Sequence, residues 1–304
     1  MNFLPSTSEL IFHNLSSLKH LTLFGGTINA DTIARFPETL EELSFDFVES
    51  PGTEFTDGIR MPVHLRSLWL HINPEHTGLP AIVNVDQLVY LENVMCQPKC
   101  IHLNQLQNFI SQLPSDLNSL DINNEGYLRG DLDGYDLCCP DKLSLDHFTN
   151  LTRLNFDCLN NSKSFNVSIF PESLETLDFT SSKLLTGFFP SKLDRLIINL
   201  FSYGESLEVF LSSITNLTNL TILKIEKAGY QREFDFGGVE FPAQLNTIHL
   251  DLGFPDEDNV PTNMWQPFFV FGRFPLALTY FHLRVFSCTI IVDGSTGETV
   301  DLMK

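Results

Sequence analysis

The chain has 304 residues, 43% hydrophobic and only 18% charged, so it holds enough apolar side chains for a continuous core. Its 38 acidic residues against 18 basic ones give a formal charge of −20. Such a surface repels phosphate backbones and anionic lipid, which sets nucleic acid and membrane surfaces aside as partners. No stretch approaches the ~18 consecutive apolar residues of a membrane helix.

In chain order, the first segment is Phe3 to Leu15, FLPSTSELIFHNL. It reads as part of a capping turn, residues 1–17, over the first repeat. It has neither the basic region nor the apolar run of a signal peptide. The six Cys (96, 100, 138, 139, 158 and 288) make no paired CxxC spacing. Reduced thiols and a cytoplasmic or nuclear location are therefore expected. Six Asn-x-Ser/Thr sequons (Asn14, Asn150, Asn160, Asn166, Asn216, Asn219) would be glycosylated in a secreted chain. Several fall inside a repeated TNLT pattern and read as its by-products.

From residue 18 to residue 284 one apolar pattern recurs. It is clearest in FPESLETLDF and FPSKLDRLII, which start 19 residues apart at Phe170 and Phe189. Both run Phe-Pro, polar residues, then Leu-x-x-Leu-x-(Phe/Ile). Central apolar positions are Leu21, Leu43, Leu68, Leu91, Leu120, Leu154, Leu177, Leu196, Leu223, Ile248 and Phe281. The last two apolar residues of each unit alternate along a short strand and share one face. Phe-Pro fits a turn leading into that strand, because Pro fixes its φ and offers no ladder donor. Phe also replaces Leu in several core positions, which accounts for part of its 27 copies.

The connections are short, and two of them, Leu103 to Leu113 and Leu207 to Ile214, carry a helical apolar period. Two others, 124–147 and 253–268, break the rhythm and are expected as projecting loops. Residues 285–304 alternate around Asp-Gly and Thr-Gly, the signature of a hairpin capping the last unit.

The eleven units, with Leu-x-x-Leu-x-Leu spacing over nearly the whole chain, resemble leucine-rich-repeat proteins in an irregular form with FPxxLxxLxF units. The resemblance implies one α/β domain over residues 1–304. It would be a right-handed solenoid whose parallel sheet forms the concave face, with short irregular or helical connections behind it. It also implies a non-catalytic protein-interaction module. The Asn three positions after the last Leu, typical of regular members, is mostly absent. Phe3–Leu15 resembles the opening of an F-box, which gives an alternative reading as an adaptor or substrate receptor of a ubiquitin ligase. A pathogen effector or surface protein of the same repeat class is a further alternative.

In this register the outward residues are those one and three positions after each central apolar residue. They place Asp46, Glu92, Asp121, Asp157 and Asp178 in an acidic strip, with Trp69, His71, Asn123 and Asn155 beside it. The expected partner is a basic protein segment lying along the carboxylates, anchored on Trp69. His249 and His282 share an outward position on successive units near Asp251. Exposed His is common on sheets, and no metal site or cofactor is expected there. Asp131-Leu-Asp133-Gly-Tyr-Asp136 departs from a calcium loop, because its Gly falls at the fourth place and no closing Glu follows in register. Cys138–Cys139 has only Lys142 near it to lower a thiol pKa. No GxSxG, P-loop, HExxH or dinucleotide fingerprint occurs, so no enzymatic activity is expected.

Overall fold

The structure is a computed structural model that describes residues 15–23, 30–47, 58–72, 81–98, 103–122, 144–157, 164–181, 184–200, 207–226, 233–236, 240–251, 268–271, 274–285, 288–293 and 298–302. The chain forms two compact units, residues 1–158 and 159–304.

In the first unit the turn-then-strand grammar produces six parallel strands, each hydrogen-bonded to the next: β1 (His20–Leu23), β2 (Glu42–Phe47), β3 (Ser67–Ile72), β4 (Asn93–Pro98), β5 (Ser119–Ile122) and β6 (Arg153–Asp157). The connections between them include α1 (Ala30–Ile33) and α2 (Leu103–Gln112). In α2, Leu106, Phe109 and Ile110 are buried, as is Leu113 just beyond it, which is the expected one-face spacing.

The second unit begins with β7 (Ser164–Asn166), β8 (Thr176–Ser181), β9 (Leu184–Thr186) and β10 (Arg195–Leu200). It continues through α3 (Leu207–Ile214), β11 (Ile222–Glu226), β12 (Glu233–Phe236), β13 (Thr247–Asp251), β14 (Phe268–Phe271) and β15 (Tyr280–Val285). Strands β8, β10, β11, β13 and β15 pair in parallel in that order. The short pairs β7–β9 and β12–β14 form separate two-stranded parallel sheets, which the leucine pattern does not announce. The expected terminal hairpin is present as β16 (Cys288–Asp293) and β17 (Glu298–Leu302). It pairs antiparallel, with β16 also antiparallel to β15.

Two devices set the repeats. The first is a turn closed by an N–H three residues on, as from Leu40 to Pro37 O (3.2 Å), Leu174 to Pro171 O (3.1 Å) and Leu245 to Pro242 O (3.0 Å). Pro62 and Pro114 close the same turn without a Phe before them, receiving Leu65 N–H at 3.3 Å and Leu117 N–H at 3.2 Å. The second is a carbonyl that accepts two successive N–H groups from the next repeat. Lys19 O takes Glu41 and Glu42, Glu41 O takes Arg66 and Ser67, and Arg66 O takes Glu92 and Asn93. The pattern recurs at Glu92, Asn118, Glu175, Asp194, Thr221 and Asn246. Backbone donors thus satisfy the lead-in carbonyls without a ladder of Asn side chains.

The core is the stack of inward residues. Leu43, Phe45, Leu68, Leu70, Leu120, Leu177, Phe179, Leu196, Ile198, Leu223 and Leu250 are buried. Each such side chain contributes roughly 1.5–3 kcal/mol by leaving water. In the second unit the Phe excess builds a chain of ring contacts, Phe170–Phe179–Phe189–Phe210, with centroids 5.6, 6.2 and 6.1 Å apart.

Candidate binding face

Because successive side chains alternate, the strand residues flanking the buried ones form rows on the open face of the sheet. In the first unit one row runs His20, Glu42, Ser67, Asn93, Ser119, Arg153. The next runs Thr22, Ser44, Trp69, Met95, Asp121, Asn155. Asp46 and His71 are register partners in a third row, followed by Gln97.

Glu92 does not belong to these rows, which corrects the register expected from sequence. Val94, not Leu91, pairs with Leu68 and Leu120, and Val94 is buried. Leu91 closes the lead-in turn onto Leu88 O, as Leu65 and Leu117 do onto Pro62 and Pro114 in their repeats. The segment is therefore Leu88-x-x-Leu91-x-x-Val94-x-Cys96, three residues out of the expected phase. The outward residue of this repeat is Met95, register partner of Trp69 and Asp121. Glu92 sits before the strand and pairs with Arg66 at 3.2 Å.

That lead-in position is itself a row of side-chain pairs. Lys19 pairs with Glu41 at 2.6 Å, and this contact holds the Glu41 carboxyl below its usual range. Thr152 Oγ1 donates to Asn118 Oδ1, and Thr221 Oγ1 to Asp194 Oδ1, each at 2.6 Å. The sequon Thr residues 152 and 221 are thereby engaged in the fold. So are the amides of two sequon Asn residues, since Asn150 Nδ2 donates to Asp116 (3.1 Å) and Asn219 Nδ2 to Ser191 O (3.1 Å).

Trp69 stands on the open face with 47% of its surface exposed, the largest side chain so displayed among the described residues. It lines a concavity of about 360 Å³ together with His20, Thr22, Glu42, Ser44, Ser67 and His71. Glu42, absent from the set expected from sequence, holds His20 Nδ1 at 2.9 Å. Asp121 is half-buried and accepts a hydrogen bond from Asn155 Nδ2 at 3.2 Å. Asp46 and Asp157 occupy strand positions in β2 and β6. Asp178 lies in the second unit, in register with Ile197, followed by Lys224, His249 and His282.

Asn123 lies outside the described residues. So do residues 1–14 of the F-box-like start, the Asp131–Asp136 segment, Cys138–Cys139 and nearly all of the two long insertions. Behind the face, burial and the nearby Asp121 push the Cys96 thiol far up, which makes it an unreactive core residue. Among the described residues no group of three or more His, Cys, Asp or Glu is arranged to hold a metal. Among them, too, no helix is long and apolar enough to cross a membrane.

The fold is a leucine-rich-repeat solenoid: eleven parallel strands, six in the first unit and five in the second, set by one repeating turn-strand grammar. Among solved structures the chain is similar to CroV588, described as a novel circular LRR protein. The match has 16% identity and a TM-score of 0.40, over 91% of this chain and 48% of that one. This chain therefore corresponds to about half the length of that protein. No protein-family model matches the chain, and no curated protein does.

Proposed function

We propose that the chain is a non-catalytic recognition module that takes a basic protein segment on the open face of its first unit. The observation that carries this reading is Trp69, an exposed aromatic at a concavity bordered by Glu42. A half-exposed Trp beside the Glu42 carboxylate suits an Arg- or Lys-bearing segment, since the ring face attracts a cation and the carboxylate pairs with it. The net charge of −20 draws such a partner in from solution and raises its on-rate. Asp121 on β5, in the same row as Trp69, extends the acidic character along the face. The lead-in residues Glu41 and Glu92 already have cationic partners in Lys19 and Arg66, so they add little. A cytoplasmic or nuclear setting fits a chain with no paired CxxC spacing in which the side chains of two sequons, Asn150 with Thr152 and Asn219 with Thr221, serve the fold.

The test is binding of a labelled Arg- and Lys-rich peptide to the full chain, followed by anisotropy at low and high salt, with an acidic peptide of equal length as control. The reading expects salt-sensitive binding of the basic peptide alone. Trp69→Ala and Glu42→Lys should each weaken it by about tenfold or more. Equal binding of both peptides, or indifference to Trp69→Ala, refutes it.

A further inference from the structure

The open face of the second unit holds two imidazoles in direct contact. His249 and His282 are register partners on β13 and β15. Their rings lie 4.2 Å apart at 85°, with the two Nδ1 atoms separated by 2.9 Å. We propose that this pair is a two-imidazole site for a late first-row divalent metal ion, Zn²⁺, Ni²⁺ or Cu²⁺, with water completing the coordination.

At 2.9 Å the two neutral rings share one proton, donated by one Nδ1 and accepted by the other. A metal ion takes the place of that proton. The donor ring shifts its hydrogen from Nδ1 to Nε2, so both Nδ1 lone pairs become available and no proton leaves the pair. With Zn–N bonds of about 2.0–2.1 Å at a tetrahedral angle, two ligating nitrogens stand about 3.4 Å apart. The rings need to open by only about half an ångström, within the reach of small χ rotations. Parallel pairing of β13 and β15 fixes the backbone beneath them, so the ligands are held ready before the ion arrives.

The surroundings do not repel a cation. Lys224, register partner of His249, is tied to Glu226 at 2.5 Å, and Arg284 to Asp251 at 3.5 Å. The two cations and two carboxylates balance. Burial lowers the pKa of both imidazoles, so the neutral, ligating form prevails near neutral pH.

Calorimetric titration of the full chain with NiCl₂ or ZnCl₂ at pH 7.5 tests this. One equivalent should bind, and His249→Gln and His282→Gln should each weaken it on the order of tenfold or more. Unchanged affinity in both variants overturns the proposal. Should either variant fold poorly, ¹⁵N long-range imidazole spectra of the wild-type chain with Zn²⁺ decide the matter. Two His residues whose Nδ1 signals move to the metal-bound position while Nε2 carries the proton support the site. Spectra in which no pair of imidazoles responds through Nδ1 overturn it.

Discussion

Asn84 is one of the few fully buried polar side chains among the described residues, and its replacement should be unusually costly. It stands at the start of a 3₁₀ turn, Val85–Gln87, but does not cap that turn. Its side chain reaches back to the preceding repeat instead. Oδ1 accepts from Met61 N–H at 2.9 Å, and Nδ2 donates to Met61 C=O at 2.8 Å. Met61 is fully buried and Asn84 is 2% exposed, so water cannot replace either bond. Asn84→Ala leaves two orphaned backbone groups, each costing about 1–3 kcal/mol, or roughly 2–6 kcal/mol together. For a unit of this size that corresponds to a fall in Tm of roughly 4–24 °C. Asn84→Asp should fare no better, because its carboxylate can accept from Met61 N–H but faces Met61 C=O without a donor. The control is Asn93→Ala, which removes a single half-buried bond to Ser67 Oγ at 3.3 Å and should cost under about 1 kcal/mol. Denaturant unfolding followed by circular dichroism measures all three. If Asn84→Ala costs no more than Asn93→Ala, the reasoning about orphaned groups is wrong.

Gly187 sits at φ +86° with Asn166 Oδ1 and Ser168 Oγ where a Cβ would go. Gly187→Ala should therefore cost at least about 1–2 kcal/mol in the same unfolding assay. Glu92→Gln breaks only an exposed pair with Arg66, so it should cost under about 1 kcal/mol and leave peptide binding unchanged; a large loss of binding would restore Glu92 to the face. His147, His249 and His282 are held below their ordinary pKa, chiefly by burial. As pH falls, the unfolded chain takes up those protons first, at about 6.5. Stability is thus full above that value and drains as pH drops through it toward the folded-state values. Denaturation at pH 7.5 and 5.5 should show the loss, and His249→Asn with His282→Asn should reduce it.

Legibility from sequence followed the physical strength of each signal. Ten of the eleven central residues were identifiable because a one-four-six apolar pattern with strong side chains admits one phase. The fourth repeat failed because LVYLENVMC admits two. Leu88 and Leu91 imitate the Leu-x-x-Leu pair, while the true inward residues, Val94 and Cys96, are the weaker apolar types. Proline was the signal that would have resolved its neighbours. Pro62 and Pro114 close the same turn as the Phe-Pro repeats, and spacing from their leucines gives 26 residues from Leu68 to Val94 and 26 from Val94 to Leu120. Trp69 was legible as outward because alternation alone decides it. The concavity around it was not, since it depends on His20 and Glu42 from strands 22 or more residues away in sequence. Likewise the sequence placed His249 beside His282, but the facing Nδ1 atoms depend on rotamers.

The irregular repeat length, 19 to 34 residues, has a physical explanation in these same bonds. Within each unit, successive repeats are joined by a three-residue turn, by two N–H groups landing on one carbonyl of the preceding repeat, and by a strand of four to six residues. The devices occupy a short, contiguous stretch and do not depend on the return segment. That segment is free to be a ten-residue helix at α2, an eight-residue helix at α3, a 3₁₀ turn or an extra short strand, provided it supplies apolar side chains to the core. Loop entropy grows only slowly with length, so extra residues on the return side cost little. A change in the turn is another matter, because shifting it by one residue would carry every strand side chain to the opposite face. The open-face rows, and any ligand they hold, are therefore specified by the turns rather than by the lengths between them.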